Sequence, residues 1–293
     1  MIVSVPFGGV QGFSFLQRRM EDNLNLIATS PQVMRDLQYF RDNISKATSP
    51  EALLKDYRLT KVVLTAYGLQ SEIGKTALLQ RIIEQGTDDP ASFANRLRNP
   101  QFQALAKGVG FGNIGGSRIV LTKFKSEIEA AFLRQTLEEA VGASDNTLRL
   151  ALNFERRIGG VASGGAVENA GWFQVMGELP LRRVVEGAYG LPDSFALLDI
   201  DRQRDILRER TRTLFGGTGS PAAFADPDNT ETLIRRFLAL SQSSGGTAVD
   251  AGAAGMAPSM SSMPLVANSS FSLPSESKAL PALLIITSGL FNT

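Results

Sequence analysis

The sequence has no cysteine and no histidine. Disulfides, thiolate nucleophiles, Cys/His zinc sites and a histidine general base are thereby excluded. It has no run of about 18 apolar residues, so no transmembrane helix is expected. The N-terminal stretch MIVSVPFGGVQGF lacks a basic n-region and a small-residue cleavage site, and predicts no secretory leader. Thirty basic residues oppose 29 acidic ones, and a net charge of +1 gives no global pull toward nucleic acid or an anionic membrane. What remains is a 293-residue chain that is 43% apolar, long enough to bury a substantial core.

The pattern from about residue 13 to 241 is helical almost throughout. Ser30-Pro31, Ser49-Pro50, Asp89-Pro90, Asn99-Pro100, Ser220-Pro221 and Asp226-Pro227 each pair a capping side chain with proline, as helix starts do. The cap oxygen accepts from a free first-turn amide, and proline at N1 lacks an amide that would be unpaired anyway. Apolar residues recur at three- and four-residue spacing in Val33, Leu37, Phe40 and Ile44, and again in Leu59, Val62, Val63 and Ala66. Ile128, Phe132, Gln135 and Glu139 keep that spacing while turning polar, which predicts a helix end. Gly68, Gly86, Gly142 and Gly190 stand where helices should stop, since glycine adopts the left-handed conformation without a Cβ clash. Strand-like alternation is scarce, and the expected fold class is all-α.

An internal repeat is the most informative feature. Leu59–Leu69 (LTKVVLTAYGL) and Leu181–Leu191 (LRRVVEGAYGL) match at seven of eleven positions, offset by 122. The shared residues are chiefly Val62, Val63, Ala66, Tyr67, Gly68 and Leu69 against Val184, Val185, Ala188, Tyr189, Gly190 and Leu191. Shorter matches flank them in the same order, with offsets between 114 and 131. This predicts two copies of a roughly five-helix unit, residues 13–112 and 113–241, packed as a pseudo-twofold bundle after an N-terminal arm of residues 1–12. Tyr67 and Tyr189 fall in a last helical turn, where the ring packs and the hydroxyl seeks a polar partner. A ligand site carried twice would need polar companions at both copies, and none travels with the tyrosines.

Other motifs fail on spacing. Gly68–Thr76 (GLQSEIGKT) places five residues between its glycines where a phosphate-binding loop has four, and a helical segment precedes it. Gly74 is expected at a helix entry with Lys75 in solvent. The glycine runs Gly108–Gly116, Gly159–Gly165 and Gly216–Gly219 lack dinucleotide-binding spacing and read as flexible connections, the first anchored by Phe111. Arg202, Arg204, Arg208, Arg210 and Arg212 are interleaved with Asp201, Asp205 and Glu209, as on a solvated, ion-paired face. Glu138-Glu139 and Asp88-Asp89 are neighbours that would not face each other on a helix. No catalytic, cofactor-binding or metal-binding residue is assigned.

The composition changes after Leu240. Ser241–Ser277 is rich in Ser, Gly, Ala, Pro and Met and is expected to be mobile, and residues 242–293 are expected to form a low-complexity tail with an apolar end. The chain ends in the apolar stretch Ala279–Phe291, too short to span a bilayer. Its Leu283, Leu284, Ile285, Ile286, Leu290 and Phe291 are candidates for docking, either on a partner or on the chain's own core.

Five stretches together resemble a known family: Phe15–Glu21 (FLQRRME), Asp56–Leu69 (DYRLTKVVLTAYGL), Ala77–Leu97 (ALLQRIIEQGTDDPASFANRL), Phe132–Glu139 (FLRQTLEE) and Arg149–Arg156 (RLALNFER). It is a bacterial domain family of unknown function whose genes commonly lie in flagellar gene clusters of alphaproteobacteria, some members being labelled flagellar basal-body rod proteins. The resemblance implies no catalytic residues. It implies a flagellum-associated structural or accessory protein whose partners are other flagellar or export proteins, at the flagellum or its cytoplasmic assembly site. The chain lacks the paired long terminal heptad helices of axial rod subunits, which speaks for an accessory role. Two alternatives stay open: a helical small-molecule-binding or enzymatic domain with its site between the two halves, and a cytoplasmic regulatory or chaperone-like factor.

Overall fold

The computed structural model describes residues 5–97 and 99–243, and the docking candidates Leu283–Phe291 lie outside them. The described residues fall within one compact unit, contain no strand, and include no helix long and apolar enough to cross a membrane. Among the described residues fourteen α-helices follow one another: α1 (Gly9–Arg18), α2 (Met20–Ala28), α3 (Pro31–Asn43), α4 (Pro50–Lys55), α5 (Tyr57–Ala66), α6 (Thr76–Gln85), α7 (Phe93–Arg96), α8 (Pro100–Val109), α9 (Thr122–Gly142), α10 (Asn146–Ala162), α11 (Val167–Gly177), α12 (Leu179–Ala188), α13 (Ile200–Phe215) and α14 (Pro227–Ser243). The all-α expectation holds.

Capping chemistry places many of the starts. Ser49 Oγ accepts from the Ala52 amide at 3.1 Å, and Asn99 Oδ1 from the Gln101 amide at 2.9 Å, each followed by proline at N1. Asp56 and Asp145 cap α5 and α10 in the same way without proline. The structure corrects two of the proline-marked starts. Asp89 Oδ1 accepts from the Ala91 amide at 2.8 Å, but Pro90 lies in a turn, and α7 begins only at Phe93. Ser220-Pro221 opens a short 3₁₀ helix, Pro221–Ala225, instead of an α-helix.

The predicted stripes are core. Val33, Leu37, Phe40 and Ile44 are all buried, as are Leu59, Val62, Val63 and Ala66. α9 is the central strut. It lies along α5 and α2 on one side and along α10 on the other, and α10 continues the core to α12 and α14. Helix α9 ends at Gly142, three residues past Glu139, where the spacing and that glycine placed a helix end. Leu137 and Val141 stay buried through the last turns, and Gly142 is the final helical residue rather than a left-handed terminator.

The N-terminal arm is also corrected. Helix α1 begins at Gly9, and Val5 packs partly against the core. Gly9 has φ +60°, and a side chain there would overlap Gln242, so α1 starts against the last turn of α14. A Cβ at Gly12 would come within 3.1 Å of Leu148, which sets how closely α1 crosses α10. The first and last of the described helices thus pack together.

Two glycine runs are not connections of the kind expected. Gly108 lies inside α8, and Gly159 and Gly160 lie inside α10. The loop after α8 is tied down: the Thr87 amide donates to Asn113 Oδ1 and the Ile114 amide to Asp88 Oδ2, both at 2.7 Å. Phe111 packs partly buried against the core, as expected of an anchor.

Candidate functional site

The repeated sequence signature is a helix terminator used twice. The Leu69 amide donates to the Leu64 carbonyl at 2.8 Å, and the Leu191 amide to the Glu186 carbonyl at 2.9 Å. Gly68 and Gly190 have φ of +71° and +62°. This six-to-one bond around a left-handed glycine is the Schellman motif, and it accounts for Gly-Leu recurring as a unit. Val62, Val63, Ala66 and Leu69 are buried, as are Val184, Val185, Ala188 and Tyr189, while Leu191 packs partly buried against the same core. Helices α6 and α13 also stop alike, at Gly86 (φ +64°, ψ −153°) and Gly216 (φ +77°, ψ −158°).

The surroundings of the two copies differ. Thr211 Oγ1 lies 2.8 Å from the Leu207 carbonyl and 2.6 Å from Tyr189 Oη, so the two hydroxyls share a hydrogen bond. Tyr67 Oη instead sits against Gly108, where any Cβ would overlap it. That contact, rather than chain flexibility, explains glycine in the last turn of α8. A Cβ on Gly68 would come within 2.9 Å of Gln135 Nε2 and 3.1 Å of Gln101 Nε2, whereas nothing lies within 4 Å of one on Gly190. Both alanine substitutions meet the left-handed backbone penalty of about 1 kcal/mol. Gly68→Ala must also displace two amides, and should cost about 2 kcal/mol against about 1 for Gly190→Ala in urea unfolding.

Burial raises the Tyr67 phenol to about 12, with the Glu127 carboxylate adding to the effect. Burial raises the Tyr189 phenol to about 12 as well, against the opposing hydrogen bond with Thr211. In an unfolded chain both would ionise near 10. Their contribution is therefore complete below pH 10 and is lost as pH climbs from 10 through 12. A 295 nm absorbance titration should show Tyr67 and Tyr189 ionising late, together with alkaline unfolding, with Tyr39 also delayed by its hydrogen bond to Asp56. Tyr189→Phe, which cannot ionise, should move that unfolding to higher pH.

The structure places Lys75 as expected. It precedes α6, exposed, and pairs with Glu72 at 2.9 Å, beside a turn at Gly74 with φ +99°. Arg204 likewise pairs with Asp201 at 2.9 Å and Asp205 at 2.8 Å along an exposed face of α13.

Sequence reasoning missed a polar cluster joining α1, α9 and α10. Glu138, dismissed because adjacent carboxylates do not face each other, is the centre of it. Arg156 donates to Glu138 from Nε at 2.7 Å and from Nη2 at 3.1 Å, and Asn153 donates at 3.3 Å. Arg134 approaches Glu138 at 3.6 Å and donates to Glu155 at 3.2 Å, and Gln17 donates to Glu155 at 2.8 Å. These residues come from FLQRRME, FLRQTLEE and RLALNFER, three of the stretches that carry the family resemblance, so the signal was present as words without a geometry.

The concave features are shallow. A cleft of ≈ 270 Å³ lies beside Gln17 and Glu155, over Phe224 and Ile234. A groove of ≈ 390 Å³ runs between α1 and α14, lined by Phe7, Val10, Phe15, Arg18 and Arg235, with Gln11 and Ser14 between them. Among the described residues no group of three or more carboxylates could hold a metal ion. In the groove Phe7 is 53% exposed, although α1 buries Phe13 and Leu16 completely on its other face.

The crystal structure of protein AGR_C_984 from Agrobacterium tumefaciens shares this fold, with a TM-score of 0.69 and 23% sequence identity over 84% of this chain and 100% of that one. At that identity the likeness concerns the fold alone. No curated protein matches the chain. The family model described as "Protein of unknown function (DUF1217)" matches residues 66–230, more than half of the 293 residues, and the chain belongs to that family.

Proposed function

We propose that this protein is a non-enzymatic structural or accessory component of the bacterial flagellum that works by protein–protein contact. The observation that carries the proposal is the groove between α1 and α14. Among the described residues nothing covers a concave strip lined by Phe7, Val10 and Phe15 beside a helix whose opposite face is packed, and such strips are where helical domains receive partner segments. The flagellar setting is supported by the family resemblance of the sequence words from Phe15 to Arg156. The freedom from cysteine also suits a part assembled outside the cytoplasm.

The test is crosslinking in motile cells followed by co-purification, with the gene deletion scored for swimming. Recovery of a flagellar or export protein and a motility defect are expected. Normal swimming by the deletion strain, with no flagellar protein recovered, would contradict the proposal.

A further inference from the structure

We propose that the α1–α14 groove binds an acidic amphipathic helix of a partner protein, an inference that rests on the contact reading above. The argument begins with α1 itself. Gly9, Gly12, Phe13 and Leu16 form its buried face. A second stripe, Gln11, Ser14, Phe15 and Arg18, repeats at i, i+3, i+4 and i+7 and points into the groove. One helix therefore carries two faces, one packed and the other a polar stripe around Phe15 that, with Val10 and the preceding Phe7, stays open among the described residues.

The opposite wall comes from α14. Gln242 abuts Gly9 at one end of the pair, and Arg235 lines the groove together with Arg18. The two helices thus run antiparallel, and the valley between them has the shape that a third helix fills. Ten residues of α1 give a floor of about 15 Å, enough for about three turns of an occupant.

The charge of the wall sets the chemistry of that occupant. Among the described residues two guanidinium groups line the groove and no carboxylate does. Arg235 is engaged by Glu231 at 2.6 Å, whereas Arg18 forms no ion pair among the described residues. The floor between them is Phe7, Val10 and Phe15, and Arg19 lies 5.7 Å from the centre of the Phe15 ring. An apolar stripe flanked by carboxylates is complementary to this surface, and one flanked by lysines meets like charge at Arg18.

The experiment uses the full-length chain and two side-chain-crosslinked helical peptides of about 14 residues, long enough to cover the floor. Both carry leucines at three- and four-residue spacing. One has glutamates flanking the stripe and the other lysines. Titration calorimetry should show the glutamate peptide binding about tenfold more tightly or better, a difference of the size expected when one like-charge contact replaces an attractive one. Arg18→Glu with Arg235→Glu should reverse the preference. Phe7→Glu should abolish binding while leaving the melting temperature unchanged, because that side chain is exposed.

Equal affinity for the two peptides, or no binding of either, overturns the proposal. Binding that appears only in a full-length Ile285→Glu, Phe291→Glu variant assigns the groove to the chain's own end and also overturns it. A concentration-dependent dimer that Phe7→Glu dissolves assigns the groove to a second copy, with the same consequence. These failures leave the motility and co-purification results standing, and a swimming deletion strain would leave the peptide result standing, so the two claims fail separately.

Discussion

Replacing Phe224 by alanine should destabilise the protein by about 4 kcal/mol, the middle of the range for truncating a buried phenylalanine. Phe224 sits in the 3₁₀ turn Pro221–Ala225 and is 2% exposed. Three rings meet it edge-on, those of Phe154, Trp172 and Phe215, with centroids at 5.9, 6.3 and 5.7 Å. Truncation removes all three contacts and leaves a void among rigid side chains held by α10, α11 and α13. Trp172 is the sole tryptophan, and its indole N–H donates to the Gly219 carbonyl at 2.9 Å. Its fluorescence therefore reports both the unfolding midpoint and, through a red shift in the native baseline, water entering beside it. A loss below about 1 kcal/mol would mean that the site collapses without strain, contrary to the packing described.

The second large effect is electrostatic. Glu138→Ala should cost about 3 kcal/mol, since removing one partner from a buried ion pair leaves the other charge uncompensated. The Glu138 side chain is 3% exposed, and it faces Arg156 and Arg134, which are 24% and 21% exposed. That residual exposure lets water reach the stranded guanidiniums, which puts the expected cost at the lower end of the range for broken buried pairs. Arg134 Nε is already buried without a hydrogen bond, so the site has little slack. Glu138→Gln keeps the volume and one acceptor, and should cost about half as much. Because the cluster is buried, the difference between the two variants should change little between low and high salt, unlike that of the exposed Arg212–Glu209 pair. Urea unfolding of the three proteins at two salt concentrations checks this. An unchanged midpoint for Glu138→Ala would show that the cluster contributes no net stability.

Much of the helical architecture was legible because the signals are local. A serine or asparagine oxygen before proline fixes where α4 and α8 begin, and the spacing of Val33, Leu37, Phe40 and Ile44 fixes which face of α3 is buried. The recurring Ala-Tyr-Gly-Leu was legible for the same reason, since every bond of that terminator lies within six residues. The misreadings share the opposite cause. Glycine at 108 answers to the Tyr67 hydroxyl, a partner 41 positions away. Asp89 looked like a helix cap, but its neighbour Asp88 holds the loop after α8, and the local chain turns instead. Glu138 was set aside on its relation to Glu139, although its partner Arg156 lies on the next helix, 18 residues on. The groove was the least legible feature. Pro6, Gly8 and Gly9 made the first dozen residues read as an arm, and only packing against α14 reveals α1 as a helix with a second, open face.

The most direct measurement is swimming of a gene-deletion strain complemented with the wild-type chain or with Phe7→Glu, both at matched cellular levels and matched melting temperatures. Wild type should restore motility, and the groove variant, folded and equally abundant, should leave the cells non-motile or strongly impaired. Full swimming with Phe7→Glu, or full swimming of the deletion strain itself, would contradict a protein that serves the flagellum through this surface.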